Sequence, residues 1–206
     1  MFKTIKEDVS AEIVEKKSKF IANIFYIKSV EEAEEKIKNI NKKYFDARHN
    51  CYAYSVFTED GIVNRFSDNG EPSGTAGSPM LNIINSKELT NILVIVTRYF
   101  GGILLGTGGL VRAYSEATQK ALENASEISM DIGFNAKIVT IYSDLEKLKY
   151  YLKQKDIEIT KINYLENIEV YIDITKKLYE NLIIDKENLN FKIIDIQKIE
   201  EKYIII

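Results

Sequence analysis

The sequence predicts an α+β fold divided into two domains, and three observations carry that expectation. Nine of the ten glycines lie between Gly61 and Gly109, together with both prolines, Pro72 and Pro79. All four arginines, Arg48, Arg65, Arg98 and Arg112, precede residue 113 in a chain that otherwise uses lysine. The remainder reads as plain secondary structure in the order βαββαβ, the ferredoxin-like pattern. The boundary is expected near Ser126 to Gly133, with an N-terminal domain over 1–130 and a C-terminal domain over 134–206. At 206 residues and 45% hydrophobic composition, such a chain buries enough surface to fold without a disulfide or a metal.

Each element has its own signal. Residues 19–26 are aromatic and β-branched, as a strand requires. Ser29 and Glu32 have capping-box spacing, and Ala33, Ile37 and Ile40 continue at helical spacing. Residues 50–57 and 62–66 flank Glu59-Asp60-Gly61 and read as a hairpin. A polar loop covers residues 67–79, followed by a short helix from Met80 to Asn85. Ile92 to Val96 is an unbroken apolar run, the mark of a strand buried on both faces. A glycine loop then reaches Gly109 and opens into a helix, Leu110 to Asn124. In the second half, strands are expected at 136–142, from Ile157, at 168–174 and from Phe191. Ser143 with Glu146 and Thr175 are the expected helix starts between them.

Composition excludes several function classes. Net charge is −3, so any nucleic-acid surface must be a local patch. One cysteine, Cys51, rules out a disulfide framework and multi-cysteine zinc motifs. One histidine, His49, rules out His-His metal motifs. No apolar stretch approaches the roughly 18 residues of a membrane span. The N-terminal segment has acids and no apolar run, so no signal peptide is expected. The default is a soluble cytoplasmic protein without a cofactor.

Three segments could carry chemistry. The loop with Arg98, Gly101, Gly102, Gly106, Gly108, Gly109 and Arg112 joins a buried strand to a helix. Glycines let backbone amides approach an anion, and a helix start favours one. It matches neither standard phosphate loop, since Thr107 stands where a P-loop lysine belongs and Val111 where the dinucleotide motif has its third glycine. A sharp strand-to-helix corner would need the same glycines, and both readings stand. The second loop, with Asp68, Glu71, Gly74, Thr75 and Gly77, offers carboxylates or turn chemistry. Two carboxylates without a third ligand do not make a metal site, and none is expected. Third, His49 and Cys51 sit two apart on a strand. A dyad is one reading; a small buried thiol beside a surface histidine is the other. Arg48 and Arg65 join the supporting residues, because a chain rich in lysine keeps arginine where a planar fork is needed. That need is a phosphate contact or an internal carboxylate pair.

The blocks Glu71-Pro72-Ser73-Gly74-Thr75-Ala76-Gly77-Ser78-Pro79, Arg98-Tyr99-Phe100-Gly101-Gly102 and Leu105-Gly106-Thr107-Gly108-Gly109-Leu110-Val111-Arg112-Ala113-Tyr114 closely resemble the YigZ/IMPACT family. Lys16-Lys17-Ser18-Lys19-Phe20-Ile21 and Ala47-Arg48-His49-Asn50-Cys51-Tyr52-Ala53 are similar to its earlier motifs. Asn69 stands where many members are expected to carry a second Asp, which speaks against a metal. The resemblance implies an N-terminal α/β domain with the fold of the second domain of ribosomal protein S5, and a ferredoxin-like C-terminal domain. It implies a translation-associated regulatory binding protein with RNA, the ribosome or a translation factor as partner. The eukaryotic relative acts in translational control by binding a ribosome-associated regulator of a stress kinase. The alternative is an enzyme acting on a small phosphorylated or peptide substrate in the glycine-loop cleft.

Overall fold

The computed structural model describes residues 1–206, which divide into an N-terminal unit, Phe2–Ile128, and a C-terminal unit, Ser129–Ile206 with Met1. The N-terminal unit begins with β1 (Phe2–Ile5), β2 (Val9–Glu15) and β3 (Ser18–Tyr26). There follow α1 (Val30–Lys43), β4 (His49–Thr58), β5 (Gly61–Ser67), α2 (Gly77–Ser86), β6 (Ile92–Tyr99) and α3 (Gly106–Leu122). Five of its strands form an antiparallel sheet in the order β2-β3-β6-β4-β5. The central strand β6 alternates between two cores, as its unbroken apolar run requires. Val94 and Val96 pack with Phe20, Met80 and Tyr114 under α2 and α3. Leu93 and Ile95 pack with Ile27, Ile40 and Tyr54 under α1.

The C-terminal unit takes up β7 (Glu127–Thr140), then α4 (Leu145–Gln154), β8 (Glu158–Tyr164), β9 (Ile168–Thr175), α5 (Lys176–Asp185) and β10 (Ile193–Ile205). The strands pair antiparallel in the order β10-β7-β9-β8. Strict alternation along β9 buries Ile168, Val170, Ile172 and Ile174 against Leu148, Leu152 and Leu182 of the helices. The other face is polar and self-paired: Glu169 accepts from Lys137, Asn163 and Tyr171, and Asp173 accepts from Asn135 and Lys202.

The structure departs from the sequence expectations in five places. Helix α3 starts at Gly106, so Gly106, Gly108 and Gly109 belong to a helix and not to a loop. Helix α2 starts three residues before Met80. The strand expected from residue 136 begins already at Glu127. Ser143 is not a cap: residues 142–144 form a 3₁₀ turn, and the Asp144 carboxylate accepts from the Lys192 amide instead. Strands β1 and β2 were not expected at all. The hairpin joining β2 to β3 turns through Lys16 and Lys17 at φ +45° and +66°. That geometry normally calls for Asn or Gly, so the sequence carried no turn signal.

Candidate functional site

Arg98 is the penultimate residue of β6, and its neighbour across the sheet, His49, opens β4. The loop after β5 swings back over both. What holds that loop is Asp68. Its two carboxylate oxygens accept from the amides of Gly74, Ala76 and Gly77 at 2.8–2.9 Å. Ala76 and Gly77 are the start of α2, so Asp68 caps that helix from outside its own sequence. Thr75 turns inward and donates to the Pro72 carbonyl. A side chain at Gly77 would strike Phe66 and the Ser67 backbone. Asp68, Gly74, Thr75 and Gly77 therefore build the loop.

The same loop places Glu71 in the interior, 8% exposed. Its Oε1 accepts from Arg98 Nη1 at 2.6 Å and from the Tyr114 hydroxyl at 2.9 Å. His49 Nε2 lies 3.9 Å from the same oxygen, while His49 Nδ1 donates to the Asn69 carbonyl. The Arg98 guanidinium, 6% exposed, sits 5.5 and 5.6 Å from the rings of Phe20 and Phe100, and its Nε has no partner. Cys51 Sγ is 2.9 Å from the Asp68 carbonyl and 3.3 Å from the Tyr114 hydroxyl. Burial pushes the Cys51 thiol up to about 12 and also raises the Tyr114 phenol. At neutral pH both keep their protons, so Cys51 is a buried thiol without nucleophilic character. His49 is buried too, against the surface position expected for it.

Above this network opens a cleft of about 390 Å³. Arg48, His49, Gly70, Glu71 and Arg98 contribute polar lining, and Pro72, Phe100, Leu104, Leu105 and Leu110 contribute apolar walls. Gly106 and Thr107 bring the start of α3 to its edge. That start has no side-chain cap and no acidic residue in its first turn. Every other helix has one or the other: Ser29 for α1, Asp68 for α2, Glu146 for α4 and Thr175 for α5. Three apolar side chains beside the cleft face solvent, with Leu104 83%, Phe100 46% and Ile103 42% exposed.

The glycines divide by reason. Gly101 is wedged so tightly against the Lys17 backbone that no side chain fits, and its amide donates to Ser18 Oγ. Gly102 and Gly106 have φ of +85° and +72°. A side chain at Gly109 would press on Leu105. Gly108 alone has ordinary helical backbone and open space where a side chain would go. Arg112 is exposed, bonds only the Gly108 carbonyl, and lines a separate pocket with Glu15, Lys16 and Glu116. Arg65 pairs with Glu34 of α1 and is not among the cleft residues. Of the candidate residues, the cleft thus joins Arg48, His49, Glu71, Arg98 and Gly106.

Residues 16–122 match the Impact N-terminal domain, more than half of the chain, and residues 138–185 match a domain of unknown function, DUF1949. The chain belongs to the IMPACT family. Its relatives include the IMPACT family member YvyE of Bacillus subtilis, 38% identical over 166 residues that cover 81% of this chain and 76% of that protein. An IMPACT family member of Haemophilus influenzae is 37% identical over 167 residues, covering 80% and 81%. A solved structure described as a hypothetical protein superposes with a TM-score of 0.61 at 29% identity, covering 97% of each chain. In this IMPACT chain every cleft residue lies inside the matched N-terminal domain. Sequence reasoning missed Tyr114 and Leu104. Tyr114 follows Leu110 on the core face of α3, where its hydroxyl and that of Thr118 are the polar signals. Leu104 is an apolar residue in a glycine-rich turn with nothing to bury it.

Proposed function

We propose that this chain is a regulatory binding protein of translation, which contacts a ribosome-bound factor, the ribosome or RNA through its N-terminal unit. What carries the binding reading is the fate of the reactive groups. Cys51, Tyr114, Glu71, Arg98 and His49 bond mainly to one another and to the Asp68 loop. The outward features are apolar side chains, an uncapped helix and the unpaired Arg48. The translational setting is supported by the family resemblance, whose eukaryotic relative acts there. The expected second-domain fold of ribosomal protein S5 is a proposal on the same footing. For the C-terminal unit, the ferredoxin-like reading is supported by the βαββαβ order and by β10 and β9 flanking β7. The separate folding of residues 134–206 remains part of the proposal.

Among the partners, a protein factor is favoured. Exposed Leu104, Phe100 and Ile103 form a surface of protein-interface type, where a few apolar or aromatic anchors dominate affinity. Arg112 shares its pocket with Glu15 and Glu116, whose carboxylates oppose phosphate. The test is co-sedimentation with ribosomes and with ribosome-free RNA at several salt concentrations. A protein partner predicts binding that survives salt and is indifferent to Arg112→Ala. An RNA partner predicts a steep salt dependence, its slope falling by about 0.7 for Arg112→Ala on a single strand. No association with ribosome, factor or RNA at low salt would remove the reading.

A further inference from the structure

We propose that the cleft beside α3 captures the free C-terminal carboxylate of a protein partner whose last residue is large and apolar. The inference rests on the protein-factor reading above and names the part of the partner that is held. Four observations lead to it. The start of α3 keeps its first amides free of side-chain partners and has no acid in its first turn, so it presents N–H donors and a positive dipole end. Arg98, 7% exposed at its side chain, forms part of the cleft lining with only one of its donors engaged, by Glu71. Its Nε is buried without a partner, an unfavourable state until something accepts from it. Phe100, whose ring lies 5.6 Å from the guanidinium, is half exposed. Arg48 lines the cleft, exposed and without an ion pair.

The charge sum calls for an anion, and buried Glu71 disfavours a doubly charged one. Arg48 and Arg98 supply two positive charges, Glu71 cancels one, and the helix start adds roughly half a charge. That sum is about +1.5, so a singly charged carboxylate leaves the site slightly positive. A phosphate dianion brings its second charge against buried Glu71, which is already committed to Arg98 and Tyr114. The walls select what is attached to the anion. Pro72, Phe100, Leu104, Leu105 and Leu110 surround the arginines with apolar surface, and about 390 Å³ is near the lower end of small-ligand pockets. Such a space suits one large apolar side chain next to its own carboxylate, the arrangement by which chain termini are captured at free backbone amides.

The test is a titration of the full-length ¹⁵N-labelled protein with N-acetyl-Gly-Gly-Leu, followed by amide chemical shifts. The same titration is run with the peptide's C-terminal amide, with N-acetyl-Gly-Gly-Ser, with inorganic phosphate and with adenosine 5′-monophosphate. The free acid should move the amides of Gly106, Thr107 and Gly108 and bind about tenfold or more tightly than the amide, because a charge-assisted pair is lost. The serine peptide should bind several-fold more weakly than the leucine peptide. Arg48→Gln should weaken the acid several-fold and leave the amide unchanged. Equal binding of acid and amide overturns the proposal. So does tighter binding of phosphate or the nucleotide, or no shift with millimolar peptide. These outcomes leave co-sedimentation with ribosomes untouched, so the capture proposal and the translational reading fail separately.

Discussion

The N-terminal unit carries a glutamate, an arginine, a histidine and a cysteine in its interior, whereas the buried polar side chains of the C-terminal unit are only Thr140 and Asp144. In the C-terminal unit charge is kept on the open face of the sheet, where Lys137 meets Glu169 and Lys202 meets Asp173. Its core can be read as alternation and helical stripe alone. The N-terminal unit places its ion pair in a largely buried position at the floor of the cleft, which stabilises only if every partner is present. A buried polar network holds the Asp68 loop, the end of β6 and the start of α3 in one arrangement. The cleft is the outer side of that arrangement.

The contrast breaks most visibly at Glu71. Glu71→Gln leaves the Arg98 charge buried without its counter-ion, and the expected loss is about 3–5 kcal/mol in urea unfolding. The matching change at Glu169, on the open face of the second sheet, should cost only a small fraction of that. Equal losses would erase the distinction between the units. Asp68→Ala comes next. It strips three amides of their acceptor and should cost about 1–3 kcal/mol, with faster hydrogen exchange at Gly74, Ala76 and Gly77.

Cys51 in the N-terminal unit and two carboxylates in the C-terminal unit should respond to opposite ends of the pH scale. In the N-terminal unit, the folded Cys51 thiol holds its proton up to about 12, against an ordinary 9.0. The stability this contributes is complete below pH 9 and is lost as pH climbs toward 12, because the unfolded chain releases that proton first. A thiol reagent at pH 8 should leave the native protein unlabelled and react once it is unfolded. In the C-terminal unit, hydrogen bonds from the Lys192 amide and Lys147 hold Asp144 below the usual carboxylate range, and those from Asn163 and Lys137 do so for Glu169. Their contribution is present above that range and lost as pH falls through it. Amide shifts followed during acidification should therefore change around Asp144 and Glu169 only below the usual carboxylate range.

The smallest effect sharpens the comparison at one atom. Gly108 has helical backbone, and an added methyl meets nothing. Gly108→Ala should raise stability by up to about 1 kcal/mol, since glycine is a poor helix residue. If partner binding weakens in the same variant, the glycine is there for close approach from outside.

Sequence was most informative where one physical rule acts alone. The alternation of β9, the apolar run of β6 and the cap at Ser29 were legible, because each follows from local pattern. Hidden features needed distant residues to meet. Asp68 caps a helix eight residues on, Tyr114 reaches Glu71 across the fold, and the lysines at 16 and 17 occupy a turn written for glycine. Arg98 and Arg112 read alike in sequence, flanking one glycine loop. Only the fold separates them, one inside an ion pair and one beside Glu116 on the surface. The excess of glycine was visible, but internal packing and turn geometry account for most of it.

The central claim is that the N-terminal unit binds through the apolar side chains beside this cleft, held in place by the network beneath. Leu104 tests it most directly, since it is 83% exposed and its removal disturbs no core. Co-sedimentation of wild type and Leu104→Ser with ribosomes, at low and high salt, is the measurement, with circular dichroism establishing an equal fold. The account expects binding to fall by about tenfold or more, as for an interface anchor, with the loss undiminished at high salt. Unchanged binding by the folded Leu104→Ser variant would contradict it.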